Sequence, residues 1–138
     1  MIEIGSGWGG FAIHAAQNYG CKITTTTISE EQYTLGKLRI QDAGLGDRIT
    51  ILLQDYRKLT GTFDKLVSIE MIEAVGHHYF ESFFNQCSHL LAPHGLAAIQ
   101  AITIQDRFYE AARKEVDFIK RYIFPGSCIP SITALSTA

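Results

Sequence analysis

Apolar residues follow two different periods along the chain, and the period alternates between successive segments. Apolar residues that recur every three to four positions predict helices, whereas β-branched or alternating apolar runs predict strands. On this basis we predict strands over 1–4, 21–28, 49–53, 63–69 and 96–104. We predict helices over 11–19, 29–43, 79–91 and 107–120, followed by a loop over 122–130 that contains two prolines.

Strands alternate with helices throughout, which predicts βαβ crossovers and a mostly parallel sheet covered on both faces. We therefore expect a doubly wound α/β fold with a sheet of about five strands. No linker or internal repeat divides the sequence, so we expect one domain over residues 1–138. Ligands of such sheets bind beyond the carboxyl ends of the strands, which places the glycines after Ile4 in the pocket.

Composition and charge exclude several classes of partner. The chain is 46% hydrophobic and 19% charged, and its net charge of −2 is spread along its length, which argues against nucleic-acid binding. No apolar run approaches the roughly 18 residues of a membrane-spanning helix, and no signal peptide is recognisable, so we expect a cytoplasmic protein that is not integral to the membrane. The three cysteines lack metal-binding spacing, and we expect the His77–His78 pair to face solvent. No metal site is predicted.

The glycine-rich run EIGSGWGG over residues 3–10 is the most informative stretch. Glycines permit a tight turn and a close approach of the backbone to a ligand. The run fits GxGxxG, which is typical of dinucleotide binding, and also ExGxGxG, which is typical of S-adenosylmethionine binding. A purely structural turn is the third interpretation of this run.

The segment that closes the second predicted strand helps to separate these interpretations. A dinucleotide site needs a carboxylate about 20 residues past the glycines to hold the ribose. Residues 24–29 contain none, and the first carboxylates, Glu30 and Glu31, already belong to the cap of the next helix. A nicotinamide oxidoreductase is therefore a minor alternative. Hydroxyls of this segment and Gln32 can bond a ribose instead, although strand propensity explains Thr24–Thr26 and helix capping explains Ser29 equally well.

The third predicted strand ends in Gln54-Asp55-Tyr56-Arg57 at the same edge of the sheet. Tyr56 can bracket an adenine there, and Asp55 can contact it. A surface turn held by an Asp–Arg pair is the alternative, and the residues alone do not choose between the two.

Together these motifs resemble those of the cyclopropane-fatty-acyl-phospholipid synthases and their mycolic acid relatives. EIGSGWGG, TISEEQ, LLQDYR, FDKLVSIEMIEAVG, QAITI and DFIKRYIFPGSCIPS occur in the order of that family and cover nearly all of the chain. The resemblance implies a Rossmann-like methyltransferase fold with S-adenosylmethionine as cofactor. It implies that the cofactor is bound by Glu3, Gly5, Ser6, Gly7, Trp8, Gly9, Thr27, Ile28, Ser29, Gln32, Asp55, Tyr56 and Arg57.

The resemblance also implies a reaction. In that family the methyl carbon adds across a cis double bond of a phospholipid acyl chain, and the resulting carbocation loses a proton as a ring closes. Glu73 matches a glutamate that helps to hold a bound bicarbonate, the base, and Gln100 and Ile102 match positions beside the same anion. Without the resemblance, Glu70 and Glu73 are explained as well by a helix start. Gln100 departs from the histidine of many members, since an amide cannot shuttle a proton near neutral pH.

Full family members carry an N-terminal helical region and further C-terminal strands that the resemblance does not find here. We therefore expect a partial domain whose fifth strand, over 96–104, forms an exposed apolar edge. Such an edge is covered by a partner or an oligomer, or else it marks a gene fragment. We expect unsaturated phospholipid acyl chains at the membrane surface as partners, and a protein peripheral to the inner face of the membrane. A noncatalytic remnant or cofactor-binding module is the alternative function.

Overall fold

The computed structural model describes residues 1–138, and its strands and helices alternate in the predicted order. The strands are β1 (Ile2–Ile4), β2 (Ile23–Thr27), β3 (Ile49–Leu53), β4 (Phe63–Ile69) and β5 (Leu91–Gln100). The α-helices are α1 (Gly10–Tyr19), α2 (Glu30–Asp42), α3 (Ile72–Val75), α4 (Phe80–Leu90), α5 (Asp106–Lys114) and α6 (Ile132–Ser136). None of these helices combines the length and the apolar character that crossing a bilayer requires.

The strands form one sheet in the order β3-β2-β1-β4-β5. The pairs β1–β2, β1–β4 and β2–β3 are parallel, with Ile4 opposite Thr26 and Thr27 opposite Leu53. The sheet therefore confirms the predicted α/β fold, and β1 lies at its centre. β5 is an edge strand, as the sequence predicts.

The chain divides into two compact units. Unit 1 contains Met1–Ser68 and His89–Ala98, and unit 2 contains Ile69–Ser88 and Ile99–Ala138. In unit 1, α1 buries a stripe of alanines whose small side chains let the helix lie close to the sheet. The hydrophobic core formed there consists of Ala12, Ala15, Ala16, Ile23, Ile40 and Ile49.

β5 differs from its prediction at both ends. It begins at Leu91 rather than at 96, and so includes Pro93 and Gly95. An edge strand tolerates proline because one row of its backbone amides needs no partner, and the sequence pattern alone does not reveal which strand is at the edge. The strand also ends at Gln100, and Ile104 makes only an isolated bridge to Ser131.

The helix predicted over 107–120 is wrong as one continuous element. α5 ends at Lys114, and a single π-helical turn follows at Ile119–Ile123. The backbone amide of Lys120 donates to the Asp117 carboxylate at 2.8 Å, and the Lys120 ammonium donates to the carbonyls of Ala112 and Glu115. These local bonds between side chains and backbone offer an alternative to the regular helical ladder, which explains the break.

Candidate functional site

The glycine turn after β1 is anchored to the neighbouring strand. The amides of Gly5 and Ser6 both donate to the carbonyl of Thr26, at 3.2 and 2.8 Å. The amide of Gly9 then donates to the Ser6 carbonyl at 2.9 Å and closes the turn at the start of α1. The turn is therefore held at the carboxyl ends of β1 and β2, where the sequence predicts a pocket.

The glycines of the turn share a positive φ but differ in what surrounds them. Gly5, Gly7 and Gly9 all have positive φ, at 92°, 48° and 82°. A Cβ atom at Gly9 would lie 3.6 Å from the Cα of Gly36, an ordinary van der Waals distance, so the positive φ rather than lack of space favours glycine there. A Cβ atom at Gly7 would meet nothing within 4 Å. Gly7 therefore borders open space, and it is the point of the turn where a ligand can approach the backbone.

Trp8 lies in the turn with a half-exposed side chain. Its carbonyl accepts a hydrogen bond of 2.7 Å from the Arg39 guanidinium of α2. Arg39 thus fixes the turn from a helix that is distant in sequence, and no motif indicated this role.

A compact hydrogen-bond network closes β2 and opens α2. Ser29 Oγ accepts from the Gln32 amide at 3.2 Å, which confirms the predicted N-cap. In a capping box the Gln32 side chain would accept from the Ser29 backbone amide. Here the Ser29 amide donates to Thr27 Oγ1 at 3.1 Å instead, and Thr27 Oγ1 donates to Gln32 Oε1 at 2.7 Å. These bonds hold the Gln32 side chain at the end of β2, while Ile28 is 78% exposed beside it. Thr26 Oγ1 bonds to the Gln54 carbonyl instead, which supports the structural interpretation of that threonine.

The segment after β3 contains the predicted Asp–Arg pair. The Asp55 carboxylate accepts from the Arg57 amide at 2.9 Å and from Arg57 Nε at 3.0 Å, and Arg57 Nη2 lies 2.5 Å from Asp55 Oδ2. The hydrogen bond from the Arg57 side chain is the main cause that lowers the pKa of Asp55. Both carboxylate oxygens are therefore engaged by Arg57, and Tyr56 lies half-buried between the two residues.

Glu3 is almost completely buried. It lies in β1 opposite Thr25 and is 2% exposed. Its Oε2 has no hydrogen-bond partner, and neither does Thr25 Oγ1. Burial raises the pKa of Glu3 to about 7. The Glu3 carboxyl is therefore a hydrogen-bond acceptor that water does not reach, and it lies two residues before the glycine turn begins at Gly5.

Unit 2 brings together two of the three predicted catalytic residues. Glu73, in α3, accepts a hydrogen bond on Oε1 from the backbone amide of Ile102. Its Oε2 is buried without a partner. The Glu73 carbonyl accepts from the Cys128 amide at 2.8 Å, which ties the loop after the π-helical turn to α3. Cys128 is one of the three cysteines that lack metal-binding spacing, and it lies in a motif of the family resemblance.

Gln100 pairs with Glu70 rather than with Glu73. Gln100 Nε2 donates to Glu70 Oε1 at 2.9 Å, and the Glu70 amide donates to the Gln100 carbonyl at 2.9 Å. Glu70 has a φ of 50°, which an L-residue adopts only when its surroundings hold it there. The reciprocal pair therefore fixes the backbone just before α3. Gln100 supports the segment that carries Glu73 without contacting the Glu73 side chain.

Two further features of unit 2 concern the residues around His77. Gly76 has φ 82° and ψ 146°, and a Cβ atom there would lie 2.9 Å from the Gly126 carbonyl oxygen, so only glycine fits. His78 is exposed, as predicted, and His77 is half-buried with its ring 3.8 Å from that of His78. Both rings line a cavity of about 510 Å³, together with Tyr109 and Arg113.

Comparison with known proteins shows the same motifs in longer chains. The family model described as mycolic acid cyclopropane synthetase matches residues 1–138. The chain is 43% identical over 135 residues to tuberculostearic acid methyltransferase of Mycobacterium tuberculosis, covering 98% of this chain and 31% of that protein. It is 35% identical over 141 residues to cyclopropane-fatty-acyl-phospholipid synthase of Escherichia coli, covering 99% of this chain and 34% of that protein. The chain therefore spans about a third of the length of these curated relatives.

A solved mycolic acid cyclopropane synthase, in complex with SAH and CTAB, has the same arrangement of elements. Its TM-score is 0.85 at 23% identity, covering 99% of this chain and 51% of that chain. This likeness shows the fold, which is the Rossmann-like methyltransferase fold that the sequence predicts. Nothing in these comparisons supports the nicotinamide alternative. Since the family model covers residues 1–138, from the glycine turn to the last helix, the chain belongs to the mycolic acid cyclopropane synthetase family.

Proposed function

We propose that this chain is the cofactor-binding core of an S-adenosylmethionine-dependent enzyme that transfers a methyl carbon to the cis double bond of unsaturated phospholipid acyl chains. The observation that carries the proposal is the glycine turn. Its backbone borders open space at Gly7 and is hydrogen-bonded to β2 through the Thr26 carbonyl. Family membership over residues 1–138 supports the choice of a sulfonium nucleoside over a dinucleotide.

The residues of unit 1 fit this cofactor, which supplies an electrophilic methyl carbon when it is bound. Gly7 provides a site of close backbone approach. The oxygen of the Gln32 side chain is engaged by Thr27, so the amide nitrogen is the group that would donate to a ribose hydroxyl. The buried, unpartnered Oε2 of Glu3 is an acceptor suited to an ammonium group. Tyr56 would flank the adenine, while Asp55 and Arg57 brace the loop that carries it.

Unit 2 supplies the groups for proton removal. The Glu73 side chain is oriented by the Ile102 amide through Oε1, and its Oε2 is buried without a partner. A buried carboxylate oxygen without a donor is costly, and an O–H group of bound bicarbonate would satisfy it. We propose that Glu73 holds the bicarbonate, and that the bicarbonate is the base that accepts the proton of the cationic intermediate. Gln100 would act through Glu70 as a positioning residue.

The names of the relatives support the lipid substrate. One is a cyclopropane-fatty-acyl-phospholipid synthase, another is named tuberculostearic acid methyltransferase, and the solved cyclopropane synthase contains CTAB, a detergent with a long alkyl chain. We propose a cytoplasmic protein that meets its substrate at the inner face of the membrane.

The proposal is tested by incubating the protein with S-adenosylmethionine labelled in its methyl group and with vesicles of unsaturated phospholipid. We expect acyl chains that gain one labelled carbon, measured by mass spectrometry of the released fatty acids. Nuclear magnetic resonance of the product then distinguishes a cyclopropane ring from a methyl or methylene branch. Binding of SAH without any labelled lipid would support a cofactor-binding module and contradict the enzymatic proposal.

The open space beside Gly7 gives a sharper test of the cofactor site. Gly7→Ala and Gly44→Ala both place a Cβ on a glycine with positive φ and with nothing within 4 Å, so both should lose about 1–2 kcal/mol of stability. Only Gly7 borders the proposed ligand. We expect Gly7→Ala to weaken SAH binding by about tenfold or more, since the added methyl group occupies ligand space. Gly44→Ala should bind as the unmodified protein does, and equal affinities by calorimetry for all three proteins would contradict the proposed site.

A further inference from the structure

The last residues of α5 and the chain that follows them, residues 113–123, expose a dense group of large apolar side chains, and we call this stretch the 113–123 segment. Five of the eight residues from 116 to 123 are large hydrophobics with about half or more of their surface in water. Their exposed fractions are 70% for Val116, 65% for Phe118, 48% for Ile119, 63% for Tyr122 and 51% for Ile123. Exposed apolar residues scattered singly are ordinary, but a contiguous group marks an interaction surface.

The backbone gathers these side chains. The Phe124 amide donates to the Ile119 carbonyl at 2.8 Å, which closes the π-helical turn. The rings of Phe118 and Tyr122 pack 5.2 Å apart, so these two residues lie on the same side of the turn. Ile119 and Ile123 have the same spacing of four, which also makes them neighbours. The turn thus presents a continuous apolar side rather than isolated residues.

Basic side chains surround this apolar side. The segment contains four basic residues and two carboxylates, although the whole chain has a net charge of −2. Arg113 pairs with Glu110 at 2.7 Å, and Lys120 bonds to backbone carbonyls. Lys114 and Arg121 are exposed, and the Arg121 guanidinium lies 5.4 Å from the Tyr122 ring centre. Four of the twelve basic residues of the chain therefore lie among a dense group of exposed apolar side chains.

We infer that the 113–123 segment docks on the surface of an anionic phospholipid bilayer. Aromatic and aliphatic groups that reach the acyl boundary, interleaved with cations that meet lipid phosphates, are the features that bind a membrane interface. Protein–protein interfaces are instead depleted of lysine at their core, which disfavours a second protein as the occupant. The choice of a lipid surface also rests on the proposed function, whose substrate is an acyl chain of a phospholipid.

Within unit 2 this segment is connected to the proposed base. The Ser127 amide donates to the Phe124 carbonyl at 3.0 Å, and the Cys128 amide donates to the Glu73 carbonyl at 2.8 Å. The close approach of Gly76 to Gly126 fixes the same loop. The segment that would contact the bilayer is therefore connected, through the loop over 124–128, to α3, the helix that carries Glu73.

The test measures flotation of the full chain with vesicles of phosphatidylglycerol and phosphatidylcholine that contain only saturated acyl chains, without S-adenosylmethionine. We expect binding that weakens as salt is added. Each basic group near an anionic surface contributes about fivefold, so Lys114→Gln with Arg121→Gln should lower the partition coefficient by about 30-fold. Phe118→Ser with Tyr122→Ser should lower it by a similar factor. The matched controls, Lys22→Gln with Lys65→Gln and the exposed Tyr19→Ser, should bind as the unmodified chain does.

A second measurement locates the contact. Tyr122→Trp should be quenched by brominated phospholipids, whereas Tyr19→Trp, which places the same ring on α1, should not. Equal effects of segment and control variants, or absence of flotation, would overturn the inference. A dimer that Phe118→Ser with Tyr122→Ser dissociates, together with absence of flotation, would show that a second copy covers the surface. Because saturated lipids cannot be methylated, these results are independent of whether the protein transfers a methyl group.

Discussion

A Glu73→Gln variant should lose lipid methylation by a factor of about 10²–10⁴ while it still binds SAH. Glutamine keeps the size of the side chain and can still accept a hydrogen bond from the Ile102 amide through its oxygen. It replaces the buried, unpartnered Oε2 with an NH₂ group, which cannot accept a hydrogen bond from bicarbonate. The geometry of α3 is therefore retained, and the group that would hold the base is removed.

Single-turnover rates with labelled cofactor measure this loss, and calorimetry measures SAH affinity. Glu81→Gln is the matched control, because it removes an exposed carboxylate from α4 in the same unit. It should leave both quantities unchanged. If Glu73→Gln methylates lipid at the rate of the Glu81→Gln control, then Glu73 has no part in the reaction. If it loses SAH affinity as well, the loss lies in the fold rather than in proton removal.

The fold could be predicted because its signals are local. Ser29 caps α2 as expected, and the β-branched run before it forms β2, since capping and strand propensity depend on a few neighbouring residues. The start of β5 was missed because Pro93 and Gly95 indicate a break after the preceding helix, and only a position at the sheet edge makes proline acceptable in the strand. The π-helical turn was missed because the bonds that Lys120 makes to carbonyls depend on the folded arrangement.

In the candidate site, too, features with a local sequence signal could be predicted, and features that depend on distant residues could not. The glycine turn could be predicted because positive φ has a sequence signature, and all three of its predicted glycines adopt it. The sequence could not show that Gly7 borders open space while Gly9 lies within van der Waals distance of Gly36, since that depends on the position of α2. Gln100 was assigned to the anion beside Glu73 by resemblance, whereas its hydrogen bond goes to Glu70, a partner that only the folded chain reveals.

The burial of Glu3 should make the stability of unit 1 depend on pH. Burial raises the pKa of Glu3 to about 7 from an ordinary value of 4.5, and the Thr25 hydroxyl, which makes no hydrogen bond of good geometry, opposes this shift. Below pH 4.5 the carboxyl is protonated in the folded and the unfolded chain, so it adds no pH-dependent cost. Between 4.5 and 7 only the unfolded chain loses the proton, and stability falls as the pH rises.

Above about pH 7 the full cost applies, which amounts to about 3 kcal/mol at 1.36 kcal/mol per pH unit. Glu3→Gln should therefore be more stable than the unmodified protein by about 3 kcal/mol at pH 8, and nearly equal to it at pH 4. Urea unfolding monitored by the fluorescence of Trp8, the only tryptophan and a residue of unit 1, measures the difference. The exposed Glu30→Gln should differ by less than about 0.5 kcal/mol throughout. If the free energies of unfolding of Glu3→Gln and of the unmodified protein differ by the same amount from pH 4 to 8, the raised pKa does not belong to Glu3.

A carboxylate that costs this much at neutral pH needs a compensating partner, and the proposed cofactor carries one in its ammonium group. A cation bound beside Glu3 would favour the ionised form, so binding below pH 7 must release a proton from Glu3. Calorimetry of SAH binding near pH 6.5 in buffers of different ionisation enthalpy should therefore detect proton release from the unmodified protein and none from Glu3→Gln. Equal proton release from both would place the ammonium group away from Glu3 and leave its burial a feature of the sheet alone.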